Sequence, residues 1–104
     1  MTPIFTKNAT PRQLPMDLEG VLITGSIARK TERCILNLKA TLEEAGSGIG
    51  KVVKTVVYLS DMQHFQEMNA EYEKWFLHKP ARSCIAVKTL PKNADVEIEA
   101  IAIA

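Results

Sequence analysis

The fold of this protein is decided by the stretch Val96-Glu97-Ile98-Glu99-Ala100-Ile101-Ala102-Ile103. Its β-branched and apolar residues are typical of a β-strand, in which successive side chains point to opposite faces. One face would carry Val96, Ile98, Ala100 and Ala102, and the other Glu97, Glu99, Ile101 and Ile103. Because both faces are substantially apolar, the strand is expected to need packing partners on both sides of its sheet.

Two amphipathic helices and four further strands are predicted upstream of this strand. Ser26 is a good N-cap for a helix over residues 27–45, which Gly46 would end. Asp61 can cap a second helix over residues 62–76. The apolar stripe of that second helix contains Met62, Phe65, Met68 or Asn69, Tyr72, Trp75 and Phe76. The strands are predicted over residues 4–6, 21–24, 51–59 and 83–90, with the C-terminal strand over residues 95–103.

The order β, β, α, β, α, β, β indicates an α+β fold, and 104 residues suffice for one such domain spanning residues 1–104. The strand over residues 51–59 also has two largely apolar faces. One face would carry Val53, Thr55, Val57 and Leu59, and the other Val52, Lys54, Val56 and Tyr58. Two helices can cover only one face of a four- to five-stranded sheet. The uncovered face therefore predicts a homo-oligomer, since large exposed apolar patches are uncommon on monomers.

The composition is that of an ordinary globular protein, with 46% hydrophobic and 24% charged residues. The net charge of +1, from 13 basic and 12 acidic residues, argues against a dedicated nucleic-acid binder. No apolar run approaches membrane-spanning length, and the N-terminus resembles neither a secretory signal nor a transit peptide. We therefore predict a cytoplasmic protein, or a mitochondrial one if an import sequence has been removed.

Arg82, in Lys79-Pro80-Ala81-Arg82-Ser83-Cys84, is the leading candidate for a functional residue. Pro80 stiffens the approach to it, and the strand that follows can fix its direction. A guanidinium in that position is suited to bidentate capture of a carboxylate. From the residues alone, the alternative is a solvated arginine in an ordinary loop.

Glu97 and Glu99 are the candidate acid–base residues, because they lie two positions apart on one strand and share a face. The same face holds Ile101 and Ile103, which are assigned to the predicted interface. A carboxylate at the edge of an apolar interface is either paired with a cation or functional. A salt bridge at the interface rim is the alternative.

The thiols and imidazoles are weaker candidates. Cys84 lies near Arg82 in sequence, as a nucleophilic thiol would, but a small buried core thiol is the simpler interpretation. Cys34 lies in mid-helix and is expected to pack in the core. His64 and His78 lack metal-ligand spacing with other His, Cys or acidic residues, so no metal site is predicted.

Most of the chain resembles one known family. The two most specific matching stretches are Pro80-Ala81-Arg82-Ser83-Cys84 and Val96-Glu97-Ile98-Glu99-Ala100-Ile101-Ala102. Other matching stretches are residues 37–46, residues 51–62, Phe65 with residues 69–72, and residues 90–92. In this order, over residues 26–103, they resemble the RidA/YjgF family of reactive imine and enamine deaminases.

The resemblance implies a chorismate-mutase-like α+β subunit with a mixed sheet, assembled as a homotrimer around a central barrel, with sites in the clefts between subunits. It implies that Arg82 binds the substrate carboxylate and that Glu97 positions or activates the attacking water. Cys84 matches a position that lines the site and is not required as a nucleophile.

The reaction that the resemblance implies is hydrolysis of 2-aminoacrylate-type enamines, 2-iminopropanoate and 2-iminobutanoate to 2-oxo acids and ammonia, with no cofactor. A non-catalytic protein that binds small carboxylates in the same clefts is the first alternative. A ribonuclease or translation inhibitor is the second, against which the near-neutral charge and the lack of a positioned histidine pair weigh.

Two segments that line the family's cleft are expected to be absent. A Gly-Pro-Tyr-Ser-Gln-like motif has no counterpart after Asn8-Ala9, and neither does a Ser-Gly-Gln-Ile-Pro loop with about ten further residues before the first helix. Either the chain is a shortened member with an opened site, or these residues of the full-length protein are missing from the sequence. We favour the second explanation, because both junctions fall at loops and leave the core elements intact.

Overall fold

Two helices lie on one face of a mixed β-sheet, as the α+β prediction requires. The computed structural model describes residues 3–4 and 12–104. The helices are α1, Ile27–Glu44, and α2, Phe65–Trp75. The strands within the described ranges are β1, Pro3–Ile4; β2, Arg12–Gln13; β3, Val52–Leu59; β4, Ala81–Ala86; and β5, Val96–Ile103.

The C-terminal strand β5 organises the sheet, whose order is β1-β5-β3-β4. On one side β5 pairs antiparallel with β3, which in turn pairs in parallel with β4. A parallel pair needs a long crossover, and α2 lies in that connection. On its other side β5 pairs antiparallel with both β1 and β2, which lie one after the other along it. β4 is therefore an edge strand of the described sheet.

The core lies between the helices and the inner face of the sheet. On β5, the inner-face side chains Val96, Ile98, Ala100 and Ala102 are all buried, as the alternation predicted. They pack in one cluster with the buried side of α1, which contributes Ile27, Cys34, Ile35, Leu38 and Leu42. Burial of this apolar surface is the main favourable contribution to folding.

Local capping residues set most helix ends. Ser26 Oγ accepts a hydrogen bond from the Arg29 backbone N–H at 3.1 Å, which confirms it as the N-cap of α1. Gly46, just past the end of α1, has a φ of +82°, a conformation that favours glycine. Asp61 Oδ1 accepts from the Gln63 N–H at 2.8 Å, but it caps a 3₁₀ turn, and the α-helix proper begins three residues later than predicted.

The strand predicted over residues 21–24 is wrong. Leu22 makes an isolated antiparallel bridge with Met16 and belongs to no strand. The reason is a tight turn, in which Asp17 Oδ1 accepts hydrogen bonds from the backbone N–H groups of Glu19 and Val21. This side chain satisfies the backbone locally, in competition with a sheet ladder.

Three other predictions needed correction. β4 covers residues 81–86 instead of 83–90, so Arg82 lies within the strand and not before it. In β3 a bulge between Val52 and Lys54 leaves Val52 buried and Val53 47% exposed, which reverses the predicted assignment of both. Met62, assigned to the apolar stripe, is 45% exposed because the first turn is 3₁₀.

The predicted strand over residues 4–6 pairs at Ile4, and its other two residues lie outside the described ones.

The outer face of the sheet carries half-buried apolar side chains. They are Val56 and Tyr58 on β3, with Ile101 and Ile103 on β5. The inference that a second copy covers this face remains a prediction.

We expect Asp95→Asn to lower the free energy of unfolding at neutral pH by up to about 1 kcal/mol, given its partial exposure. Asp95 accepts hydrogen bonds from Lys30 Nζ and Ser60 Oγ, each at 2.8 Å, which tie α1 and the end of β3 to the start of β5. These two bonds hold the pKa of Asp95 below its usual value.

A depressed folded-state pKa contributes stability above the unfolded-state pKa, and that contribution is lost as pH falls through the folded-state value. In urea titrations, the deficit of Asp95→Asn should therefore be present at pH 7 and shrink in acid. Glu32→Gln, at an exposed site on α1, is the control. An equal deficit at pH 7 and in strong acid would contradict the assignment.

Candidate functional site

Arg82 is held on the helix side of β4 by an aromatic platform. In the sheet it pairs with Thr55, whose buried side chain faces the helices. The Arg82 guanidinium carbon lies 4.7 Å from the ring centroid of Tyr72 and 5.5 Å from that of Phe65. Its Nη1 donates a hydrogen bond to Asn69 Oδ1. Stacking on aromatic faces orients a guanidinium, and one bond to an amide does not exhaust its five N–H donors.

The platform beneath Arg82 is itself fixed. The hydroxyl of Tyr72 lies 2.7 Å from Thr55 Oγ1, and its ring stacks on Phe76 with centroids 4.4 Å apart. Burial raises the pKa of Tyr72, so its phenol stays neutral and acts through its ring. The guanidinium therefore has a defined position before any ligand arrives.

A pocket of about 580 Å³ opens beside the Arg82 guanidinium. Its wall combines aromatic and apolar side chains with two cationic groups. The lining residues are Tyr72, Glu73, Phe76, Leu77, Lys79, Pro80 and Arg82. A concave pocket lined by apolar and polar groups together is typical of a small-molecule site, and here the two cations outnumber the single carboxylate, Glu73, which favours an anion.

Cys84 lies on the same side of β4 as Arg82, two residues further along. It pairs with Val57, is half-buried, and packs against the core cluster. Burial raises the pKa of its thiol, and the nearby Arg82 offsets this only partly. The thiol is therefore protonated at neutral pH, which suits a lining residue better than a nucleophile. Cys34 is fully buried, as expected.

Glu97 lies on the other face of the sheet. Its partner across the ladder is Tyr58, whereas the partner of Arg82 is Thr55. Tyr58 and Thr55 are three residues apart on one strand, so their side chains point to opposite faces. Within one copy of the chain, the sheet thus separates Arg82 from Glu97. They are also two strands apart, roughly 10 Å across the sheet.

Glu97 and Glu99 share the outer face, as predicted, and they meet a cation that the sequence did not reveal. Arg12 on β2 donates from Nε to Glu99 Oε2 at 2.8 Å, and its Nη1 lies 3.7 Å from Glu97 Oε1. Its Nη2 donates to the Tyr58 hydroxyl at 3.3 Å, and its guanidinium carbon lies 5.1 Å from the Tyr58 ring centroid. One arginine therefore faces both carboxylates.

The environment of Glu97 raises its pKa. Glu97 is 3% exposed, and its burial is the largest cause of the rise. The charge of Arg12 lowers the pKa and Glu99 raises it, so the two neighbours act in opposite directions. A carboxyl whose pKa is raised binds a proton more readily than an exposed glutamate does, which suits it to accept and return a proton.

The two histidines lie at opposite ends of α2. His64 precedes the helix and His78 follows it, and 11 helical residues span roughly 16 Å. His78 Nε2 lies 2.8 Å from the backbone oxygen of Val52, in a structural contact. They do not form a pair. Within residues 12–104, no three His, Cys, Asp or Glu side chains cluster in a way that could hold a metal ion.

Two groups at the site escaped the sequence analysis. Arg12 lies between the predicted strands at residues 4–6 and 21–24, where no element was predicted, and no local pattern indicates that this segment pairs with β5. Asn69 was recognised as part of a matching stretch but was assigned no contact with Arg82. Its position on α2, one turn before the platform residue Tyr72, is the signal that could have indicated it.

Known proteins match most of this sequence. A family model described as endoribonuclease L-PSP matches residues 11–104. The protein HMF1 of Saccharomyces cerevisiae is 48% identical over 91 residues, which are 86% of this chain and 70% of that protein. The 2-iminobutanoate/2-iminopropanoate deaminase of Salmonella typhimurium is 38% identical over 98 residues, which are 90% of this chain and 77% of the enzyme. The chain belongs to the RidA/YjgF family.

The fold agrees with solved structures of the RidA/YjgF family. The structure of Escherichia coli TdcF with bound serine superposes with a TM-score of 0.84 at 31% identity, covering 91% of this chain and 78% of TdcF. The range matched by the family model includes residues 11–26, so Arg12 lies within the RidA/YjgF-like part of the chain. The absence of two cleft segments remains a prediction.

Proposed function

We propose that this RidA/YjgF-family protein hydrolyses 2-imino and 2-enamino acids, such as 2-iminobutanoate and 2-iminopropanoate, to 2-oxo acids and ammonia. The observation that carries the proposal is the Arg82 guanidinium, held on Tyr72 and Phe65 in the wall of an open pocket. The name of the Salmonella relative and the amino acid bound to the Escherichia coli relative both support a small amino-acid-like substrate.

In the proposed reaction, Arg82 binds the substrate carboxylate and orients the adjoining C=N carbon. Glu97 accepts a proton from a water molecule while the water oxygen forms a bond to that carbon. The protonated Glu97 gives this proton to the nitrogen, which completes a carbinolamine. The hydroxyl proton of the carbinolamine then moves to nitrogen through Glu97 as the C=O bond forms and the C–N bond breaks, which leaves the 2-oxo acid and ammonia. Every atom comes from the imine and water, so the proposal needs no cofactor.

The positions of Arg82 and Glu97 on opposite faces support a site shared between copies. We propose a homotrimer in which Arg82 and Cys84 of one copy line a cleft completed by Glu97 of its neighbour. The edge strand β4, which carries Arg82, and the outer face, which carries Glu97, would then both lie at the same interface. Such an interface would also cover the half-buried apolar side chains of the outer face.

The proposed trimer predicts a solution mass of about three times the 11.5 kDa chain mass. Light scattering during gel filtration at micromolar concentration measures this directly. Val56→Glu, which places a charge on the outer face, should shift the mass toward the monomer. A clean 11.5 kDa species for the unmodified protein would contradict the shared site.

The activity itself is tested with threonine dehydratase as the source of imine and semicarbazide as the trap. Added protein should reduce the semicarbazone formed from the free imine and accelerate release of 2-oxobutanoate, in proportion to its concentration. Unchanged imine lifetime at micromolar protein would reject the proposal.

A non-catalytic carboxylate-binding protein is the second candidate, and the observation that favours it is the contact of Arg12 with Glu97 and Glu99. If that contact withdraws Glu97 from catalysis, carboxylates should bind in an Arg82-dependent manner without turnover. A ribonuclease, as the family description names, is less supported, because the charge is nearly neutral and the two histidines lie apart.

We propose the cytoplasm as the compartment of this protein, with the mitochondrion as the alternative. Relatives from Saccharomyces cerevisiae and Schizosaccharomyces pombe carry the word mitochondrial in their names. Along the described part of the chain, neither helix combines the length and apolar character needed to cross a membrane.

A further inference from the structure

We infer that Arg12 is a positioning residue for Glu97: it keeps this carboxylate charged and oriented toward the water that the proposed reaction consumes. The inference rests on the proposed function for its catalytic consequence. The position of Arg12 beside Glu97 does not depend on that function, because it follows from the pairing of β2 with β5 and from the contacts of Arg12 on the outer face of the sheet.

Arg12 is anchored by groups other than Glu97. Its shortest contact is Nε to Glu99 Oε2 at 2.8 Å, and Tyr58 holds the guanidinium from below through its ring and its hydroxyl. The distance from Nη1 to Glu97 Oε1 is 3.7 Å, beyond an ordinary hydrogen bond. Arg12 therefore places its positive charge near Glu97 without a short hydrogen bond to it, and so leaves the Glu97 oxygens available to accept from water in the proposed reaction.

The groups around Glu97 show why the positive charge of Arg12 is needed to keep this carboxylate ionised. Within the described residues they are Arg12 from β2, Tyr58 from β3, Glu99 from its own strand, and the buried thiol of Cys34 from α1. Arg12 is the one cation among these four. Two carboxylates two residues apart on one face, one of them buried, favour protonation of one of them. Arg12 opposes this effect at the residue proposed to act as the base.

The register of β2 is what delivers Arg12 to this place. Arg12 pairs directly with Glu99, and Gln13 pairs with Ile98. In an antiparallel ladder, directly opposite residues project to the same face, so this pairing places the arginine above the two glutamates. The neighbouring Gln13 projects to the helix side, where its side chain lies 3.3 Å from Thr41 Oγ1. A one-residue slip would exchange the two.

The test compares Arg12→Gln and Arg12→Lys with the matched control Arg29→Gln, which removes an equal charge from an exposed site on α1. The first readout is the pH dependence of kcat/KM for imine hydrolysis. Arg12→Gln should shift the acid limb of this profile to higher pH. The value of kcat/KM should fall several-fold at the low-pH end of the limb and less on the alkaline plateau. Arg12→Lys should retain much of the unmodified profile, and Arg29→Gln all of it.

The second readout does not depend on turnover. The side-chain carboxyl resonance of Glu97 is assigned by its disappearance in Glu97→Gln and followed by NMR as pH is varied. Its titration midpoint should rise in Arg12→Gln and stay unchanged in Arg29→Gln. Thermal unfolding of each variant verifies that the fold is retained.

Three outcomes would overturn the inference. An unchanged Glu97 titration in folded Arg12→Gln would show that Arg12 does not control its charge. An unchanged acid limb would show that this control has no catalytic consequence. Faster hydrolysis by Arg12→Gln at every pH would show that Arg12 blocks Glu97. If the unmodified protein does not hydrolyse imines, the proposed function fails, and the titration still decides whether Arg12 sets the charge of Glu97.

Discussion

Arg82→Ala is expected to lower kcat/KM for imine hydrolysis by at least about 100-fold, because loss of the carboxylate anchor removes both binding and orientation of the reacting carbon. The guanidinium is the cation that the structure places on an aromatic platform beside the pocket. Steady-state rates over a range of imine concentrations measure the effect. The loss should appear in both KM and kcat, since an unanchored substrate also reacts in poorer geometry.

Two further variants give this experiment its control. Arg82→Lys keeps the positive charge but loses the planar fork and its stacking on Tyr72, so it should recover a minor part of the activity. Arg29→Ala removes an exposed arginine from α1 and should have no effect. Equal rates for Arg82→Ala and the unmodified protein, with both folded, would remove Arg82 from the site and would also count against the deaminase.

Glu97→Gln is expected to lower kcat by roughly 100-fold or more, with a smaller change in KM, because the amide cannot accept the proton of the attacking water. The substitution is nearly isosteric, so the buried position on β5 and its contacts should survive. Burial raises the pKa of Glu97, and a general base acts when it is deprotonated. The activity of the unmodified protein should therefore fall as pH drops through that raised pKa.

Mixing the two inactive variants tests where the site lies. If Arg82 of one copy acts with Glu97 of its neighbour, oligomers assembled from Arg82→Ala and Glu97→Gln contain some clefts with both native residues. Random assortment of equal amounts should restore roughly a quarter of the sites. Each variant alone, unfolded and refolded in the same way, should stay inactive. Mixed oligomers without activity would place both residues in one copy, contrary to their positions on opposite faces of the sheet.

Much of the fold could be predicted because its signals are local. Ser26 and Gly46 mark the ends of α1 through backbone groups within a few residues of each. The alternation along residues 96–103 predicted which side chains of β5 would be buried. The prediction failed at residues 21–24, where Asp17 satisfies the backbone in a turn that mere β-propensity does not reveal.

The candidate site was predicted in part. Arg82, Glu97 and Cys84 were chosen from residue type, strand position and family resemblance, and the structure places the first beside a pocket and the second in a charged cluster. The predicted start of β4 was two residues too late, so Arg82 was placed before the strand instead of within it. The face of the sheet to which Arg82 points depends on its place in that strand, so this face could not be predicted. No pattern in the sequence assigned Arg82 and Glu97 to opposite faces.

The amino-acid sequence by itself determined the α+β class, the two helices and the two-faced C-terminal strand, since caps and hydrophobic periodicity act within a few residues. Only the tertiary structure decided that Arg12 would meet Glu99, a residue 87 positions away. It also decided that Glu97 and Arg82 would lie on opposite faces of the sheet. The physical reason is strand register, because pairing between distant segments depends on the packing of the whole core and shifts every side chain when it changes by one residue.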